Sequence, residues 1–281
     1  MTTTASHGDV VLAKHREQHS ASVRSNRRFL IMSRLGILVG TMIIWELISG
    51  WLVRPFFISA PSAIISELVE WGISGELWYH AQFTITAAFF GYLLGALLGV
   101  AVAWPLGLMP LVYRIAEPHF LVAYSIPAVA MAPVFILWFG LGMLPKILIA
   151  AYFVFFIVFV NTVAGFQQVP KGLIDVTRVM GASRVSVLKS VILPSAAPYI
   201  LAALRITLPA AMIGAVTGEF IASNRGLGYL TRAAASSYST SGVIAGVLVL
   251  GTIVLIMNLM LRPLRNALRW KPEANLTGGA P

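Results

Sequence analysis

Long apolar runs alternate with short polar segments along this chain. Six runs of about 20 residues stand out, at 35–53, 84–109, 120–141, 147–166, 199–220 and 242–261. At ~1.5 Å of rise per residue, each matches the ~30 Å hydrocarbon core of a bilayer as an α-helix. In lipid every backbone donor and acceptor must be satisfied within the segment. No alternating pattern of barrel strands is present, so the pattern predicts an all-α polytopic membrane protein with six transmembrane helices.

Three polar interruptions are longer than a turn. Residues 59–79, SAPSAIISELVEWGISGELWY, mix Trp71, Trp78 and Tyr79 with Glu67, Glu70 and Glu76. They read as an interfacial helix with aromatic anchors. Residues 221–241 are small and polar. The third interruption, at 167–198, is mostly polar and basic. Within it Val176, Val179 and Met180 share one helical face behind Asp175, with Arg178 off that face, and Gly181 permits a turn closed to residues bearing a β-carbon. Ser183 is a good N-cap for a second helix, in which Val187, Leu188, Val191 and Ile192 alternate with Lys189 and Ser190. Pro194 is expected to stop that helix. The segment therefore predicts a helix-turn-helix. On physical grounds alone it is either an amphipathic hairpin on the inner leaflet, with Arg184 and Lys189 on headgroups, or a docking site for a cytoplasmic partner.

Composition and charge sharpen the picture. The chain has 281 residues, 58% hydrophobic and 11% charged, and a mean hydropathy of +0.85, which is outside the range of soluble domains. The net charge of +10 does not point to nucleic acid, because the cations sit between apolar runs rather than on a soluble module. Of the 20 lysines and arginines, only Arg54, Lys146, Arg225 and Arg232 fall on one side of the predicted spans, and Arg205 lies within the fifth. The positive-inside rule then places both termini in the cytoplasm, with polar tails at 1–28 and 266–281 flanking a transmembrane region at 29–265. Residues 1–28 lack an early apolar core, so no cleaved signal is expected, and both tails are expected to be mobile.

Catalytic and metal chemistry find no foothold. The chain has no cysteine, which excludes disulfides, thiolate metal sites and a cysteine nucleophile. His7, His15 and His19 lie in the first tail, and His80 and His119 at span edges, without a metal-binding spacing. With no phosphate-binding loop, ATP would have to be handled by another chain. Intramembrane ionisable residues are functional candidates by default, since an arginine at the bilayer centre costs about 2.5–3.5 kcal/mol. Arg205 either attracts an anion in a pathway or snorkels to headgroups. Glu219 is either a gate or helix-terminus contact, or an interfacially solvated side chain. Glu46 reads as a structural hydrogen bonder facing the bundle. Pro127, Pro133 and Pro209 break backbone hydrogen bonding within spans three and five, and on physical grounds read as packed kinks satisfied by neighbouring helices. Gly91, Gly95 and Gly99 form a close-packing face.

Asp175 followed by Gly181-Ala182-Ser183, an apolar-basic helix and Leu193-Pro194 resembles the coupling loop of binding-protein-dependent ABC importer permeases. The likeness extends from about Trp45 to Arg265, through SAPSAI, PAVAMAPVFILWFGLG and GEFIASNRGLGYL, and is to the sulfonate, taurine and nitrate branch. The loop's name-giving Glu-Ala-Ala is here Asp175-Val176-Thr177, which keeps the acid and loses both alanines. The resemblance implies the type I (MetI-like) importer permease fold and a coupling role for Asp175, Arg178, Gly181, Ala182, Ser183, Arg184, Leu193 and Pro194. It also implies a pathway lined by spans three and five, where Pro127, Pro133, Arg205, Pro209 and Glu219 lie. Implied partners are a second permease copy, two ATP-binding subunits that hold ATP and magnesium, and an extracytoplasmic solute-binding protein. The implied cargo is a small anion, with pyrimidine or riboflavin-like vitamins in related branches. The competing classes are an ion-coupled secondary transporter, which would want a midplane carboxylate, and a membrane-bound enzyme, which would want a catalytic constellation.

Overall fold

The computed structural model describes residues 29–30 and 32–260. The expected mobile tails lie outside the described residues. The chain divides into two compact units, Met1–Ser66 and Glu67–Pro281.

In the first unit, α1 (Met32–Trp51) is apolar throughout and its side chains are largely exposed, with Trp51 91% accessible. An apolar helix with no covering partner among the described residues of its own unit is shaped for lipid or for another chain. Glu46 accepts hydrogen bonds from the Ser62 amide at 3.0 Å and the Ser62 hydroxyl at 2.6 Å. Ser62 lies in the first turn of α2 (Pro61–Ile73), so Glu46 satisfies an orphan N–H of that turn rather than bonding to a neighbouring span.

The second unit is built around α6 (Met143–Gln167), which lies between α3 (Glu76–Leu108) and α9 (Leu193–Ile221). Glycines make both contacts possible. A β-carbon on Gly95 would come within 2.5 Å of the Ala151 carbonyl, and one on Gly99 within 2.9 Å of the Phe155 carbonyl. Gly214 of α9 would similarly meet the Ala150 amide at 2.9 Å. Small residues thus bring backbones together where lipid supplies no hydrophobic drive between helices. Ala150, Val154 and Val158 are fully buried between the two neighbours. The carboxy-terminal α11 (Thr240–Met260) buries chiefly Gly242, Ala245 and Gly246.

Spans two, four, five and six of the sequence reading correspond to α3, α6, α9 and α11, but their bounds move. α3 starts at Glu76, so Trp78 and Tyr79 begin a long helix instead of ending an interfacial one. The small, polar 221–241 segment contains a further helix, α10 (Leu227–Ser236). The third span is not one helix. It is α4 (Pro110–Ser125) and α5 (Ala128–Phe139), bent by 88°. Pro127 has no N–H for the Ala123 carbonyl, which accepts from the Ile126 amide at 3.3 Å and from the Tyr152 hydroxyl of α6 at 2.5 Å, the same hydroxyl lying 3.3 Å from the Ile126 carbonyl. The break is held because a neighbour supplies the missing donor. Among the described residues, five helices are long and apolar enough to cross a membrane, or six if the bent pair counts as one crossing.

Candidate functional site

Two features of the second unit carry polarity where an apolar bundle would not place it. They lie at opposite ends of α6 and α9. The first is the interruption between these helices. α7 (Lys171–Val179) starts at Lys171, so Asp175 sits in its middle rather than ahead of it. The helix ends in a Schellman motif: the Gly181 amide donates to the Arg178 carbonyl at 2.9 Å, and the Ala182 amide to the Thr177 carbonyl at 3.2 Å. Gly181 has φ +84° and open space around its α-carbon. The backbone conformation, not crowding, calls for glycine there.

Ser183 then caps α8 (Arg184–Val187), its hydroxyl accepting from the Ser186 amide at 3.2 Å. Pro194 does not stop this helix. One turn of π-helix, Leu188–Ile192, joins α8 to α9, with the Leu193 amide bonded to the Leu188 carbonyl five residues back. The extra residue in the turn places Pro194 in the first turn of α9, where no intrahelical N–H is required. A single continuous helix thus runs over Arg184–Ile221, and whatever tilts α8 is mechanically joined to α9.

The face predicted from Val176, Val179 and Met180 is exposed in this structure, at 59%, 88% and 81%. Asp175, Arg178, Gly181, Ser183, Arg184 and Pro194 are also exposed, while Ala182 and Leu193 are half-buried. Val187 is buried and pins α8 to the bundle.

The second feature surrounds Glu219, which is fully buried. The Thr84 hydroxyl of α3 lies 2.9 Å from each carboxylate oxygen, and the Gly228 amide donates to Oε2 at 2.8 Å. Thr84 also accepts from the Leu227 amide at 2.8 Å, and His80 Nδ1 accepts from the Gly226 amide at 3.0 Å. These three amides belong to the start of α10, where orphan N–H groups need partners. Glu219, Thr84 and His80 supply them. A β-carbon on Gly226, which has φ +110°, would overlap the Glu219 carboxylate, and one on Gly228 would come within 2.9 Å of Glu219 Cβ. On the far side, the Lys146 amine of α6 donates to the Ser223 hydroxyl. The reading of Glu219 as interfacially solvated is overturned by this burial.

The predicted pathway residues are not gathered into one place. Pro127 caps α5, and Pro127 and Pro133 are exposed. Arg205 and Pro209 are half-buried in α9, and Arg205 is about 21 Å from Glu219 along the helix at 1.5 Å per residue. Thr84, His80 and Lys146 escaped the sequence reading as parts of the Glu219 site, since they are distant from it in sequence, and Gly226 and Gly228 escaped although they lie close to it. The signal available was the pair Gly226 and Gly228 seven and nine residues after a span-borne carboxylate. Among the described residues, no group of three or more histidines, cysteines or carboxylates is placed to hold a metal ion.

A bundle of apolar helices with close glycine contacts, a broken third span and a helical hairpin continuous with a spanning helix is the architecture of a multi-pass membrane permease. The chain belongs to the family described as "Binding-protein-dependent transport system inner membrane component", which it matches over residues 91–270, and so is an ABC importer permease and a transport component.

Its relatives include the putative aliphatic sulfonates transport permease protein SsuC of Bacillus subtilis, 33% identical over 84% of this chain and 87% of the relative. The taurine transport system permease protein TauC of Escherichia coli is 30% identical over 90% and 96%. The formylaminopyrimidine transport permease protein ThiX of Halalkalibacterium halodurans is 28% identical over 81% and 90%. In fold the chain is similar to the crystal structure of an amino acid ABC transporter with histidines, with a TM-score of 0.60 and 17% identity over 72% of this chain and 98% of that one.

Proposed function

We propose that this chain is the membrane-spanning half of an ATP-driven importer for a small organic or inorganic anion, and that α7 and α8 are its coupling element. The observation that carries the reading is the exposed apolar face of Val176, Val179 and Met180 on a hairpin continuous with α9. Apolar side chains left outside on a short, charged helix are a surface for another chain.

In this reading two ATP-binding subunits, each holding ATP and magnesium, grip one hairpin from each of two permease copies. An extracytoplasmic solute-binding protein delivers cargo to the opposite face, and both termini lie in the cytoplasm. Closure of the ATPase pair on nucleotide tilts the hairpin as a rigid lever. The π-turn passes that tilt into α9 without a flexible joint, which favours alternating access. Asp175, Arg178 and Arg184 are exposed at the hairpin and supply the polar rim of the contact. The relatives named for sulfonates and taurine support an anionic cargo. The relative named for formylaminopyrimidine supports a second reading of cargo, a pyrimidine or related vitamin precursor, through the same machinery.

Co-purification tests the coupling. Val179→Asp with Met180→Asp, or Gly181→Pro with Arg184→Glu, is expected to release the ATP-binding subunit from the solubilised complex while the permease stays folded. Uptake that survives deletion of the ATP-binding subunit would overturn the importer reading and return an ion-coupled transporter to consideration.

A further inference from the structure

Next to the Glu219 anchor lies a separate pocket of about 440 Å³, between the start of α6, the end of α9 and α10. Its wall carries two cations, Lys146 and Arg232, the polar Ser223 and Asn224, and the apolar Leu141 and Ala222, and no carboxylate. The carboxylate of Glu219 is engaged by Thr84 and Gly228. Lys146 is only 6% exposed and donates to Ser223 and, at 3.5 Å, to the Arg225 carbonyl. An ammonium has three donors, so one remains. Arg232 donates from Nη2 to the Ser223 carbonyl at 2.9 Å, while its Nε is buried and meets no acceptor among the described residues. Its guanidinium also lies 5.7 Å from the Tyr229 ring centre, so the head is held in place.

A buried guanidinium N–H without an acceptor is costly, and two cations sharing a concave low-dielectric wall focus a positive potential into it. One ligand answers that potential, a small oxyanion that accepts from the third donor of Lys146 Nζ and from the guanidinium N–H groups of Arg232 on the pocket wall. We infer that this pocket binds the anionic head of the cargo, a sulfonate or carboxylate group, at the end of the bundle opposite the α7–α8 hairpin. The inference rests on the importer reading above and narrows its cargo to anions, because Glu219 lies close enough to act on Lys146 while a neutral pyrimidine would leave Arg232 without a counter-charge among the described residues. The apolar Leu141 and Ala222 bound the space for a short hydrocarbon tail.

Thermal unfolding of the purified full-length protein in detergent tests the inference, with sodium methanesulfonate as probe against sodium chloride at equal ionic strength, and with cytosine as a neutral aminopyrimidine. Methanesulfonate is expected to raise the melting temperature saturably, and cytosine to leave it unchanged. Asn224→Asp places a negative charge on an exposed wall position, and is expected to weaken the methanesulfonate effect by about tenfold or more through like-charge repulsion. Arg232→Lys keeps the charge but removes the planar guanidinium fork, and should weaken the effect by a smaller factor. Equal responses to methanesulfonate and chloride, an undiminished response in Asn224→Asp, or protection by cytosine alone would overturn the anion pocket. Co-purification of the ATP-binding subunit, measured on the same preparations, keeps the two readings apart. If it persists while methanesulfonate has no effect, the pocket assignment fails and the importer reading stands.

Discussion

The α7–α8 hairpin and the Glu219 anchor invert the polarity of the bundle in opposite ways. At the hairpin, Val176, Val179 and Met180 turn apolar surface outward. At the anchor, Glu219, Thr84 and His80 turn polar groups inward, each buried. The hairpin's own hydrogen bonds are local, between residues three to five apart, as at Gly181 and Ser183. Most of those of the anchor join residues more than 130 positions apart, α3 to α9 and α3 to the start of α10, with the bond from Gly228 to Glu219 closing the set. The contrast teaches that one end is completed within the fold and the other leaves an apolar face uncovered, as the proposed coupling role requires. A carboxylate spent on amides of the same chain fastens α10. An uncovered apolar face contributes nothing to this fold and has value only once something covers it.

Substitutions at each end should therefore separate stability from assembly. Glu219→Ala removes the shared acceptor and leaves the Gly228 amide and Thr84 hydroxyl buried without it. A loss of about 3 kcal/mol or more is expected in denaturant unfolding of the solubilised protein. A loss below about 1 kcal/mol would show that the anchor does not hold α10. Tyr152→Phe tests the α4–α5 break. It withdraws the side-chain donor from the Ala123 carbonyl, leaving the Ile126 amide at 3.3 Å, and is expected to cost about 1 kcal/mol, read in the same assay. Ser183→Ala removes the α8 cap, with an expected cost of about 1 kcal/mol. Circular dichroism should show its effect confined to a small helical fraction. The smallest stability effect is expected from Val179→Asp with Met180→Asp, within about 0.5 kcal/mol, because both side chains are exposed. If that pair instead destabilises the permease as Glu219→Ala does, the face belongs to the fold, and the contrast between the two ends is broken.

Much of the hairpin was legible because its determinants are local. Gly181 needs a left-handed backbone and Ser183 needs only an amide three residues on, so a short window of sequence contains the whole argument. Where local rules failed, at Pro194, a register shift of one residue in the preceding turn absorbed the proline. Such a shift depends on how Val187 and Ala196 pack against the bundle, and both are buried. Pro127 shows the converse. The proline marked a break, but whether the break is a mild kink or an 88° bend rests on Tyr152 reaching across from another helix.

The residues by themselves determined that this chain is a set of apolar helices, that 167–198 is a helical hairpin, and that Gly91, Gly95 and Gly99 face a closely packed neighbour. Periodicity, length and glycine spacing carry that information within one segment. Tertiary structure alone decided that Glu219 is buried and fully engaged, that Gly226 and Gly228 exist to let α10 approach it, and that Lys146 and Arg232 share one pocket wall. The physical reason is that a buried charge takes its meaning from partners, and here those partners come from α3, α6 and α10, far apart in the chain and brought within hydrogen-bonding reach only by packing around α6.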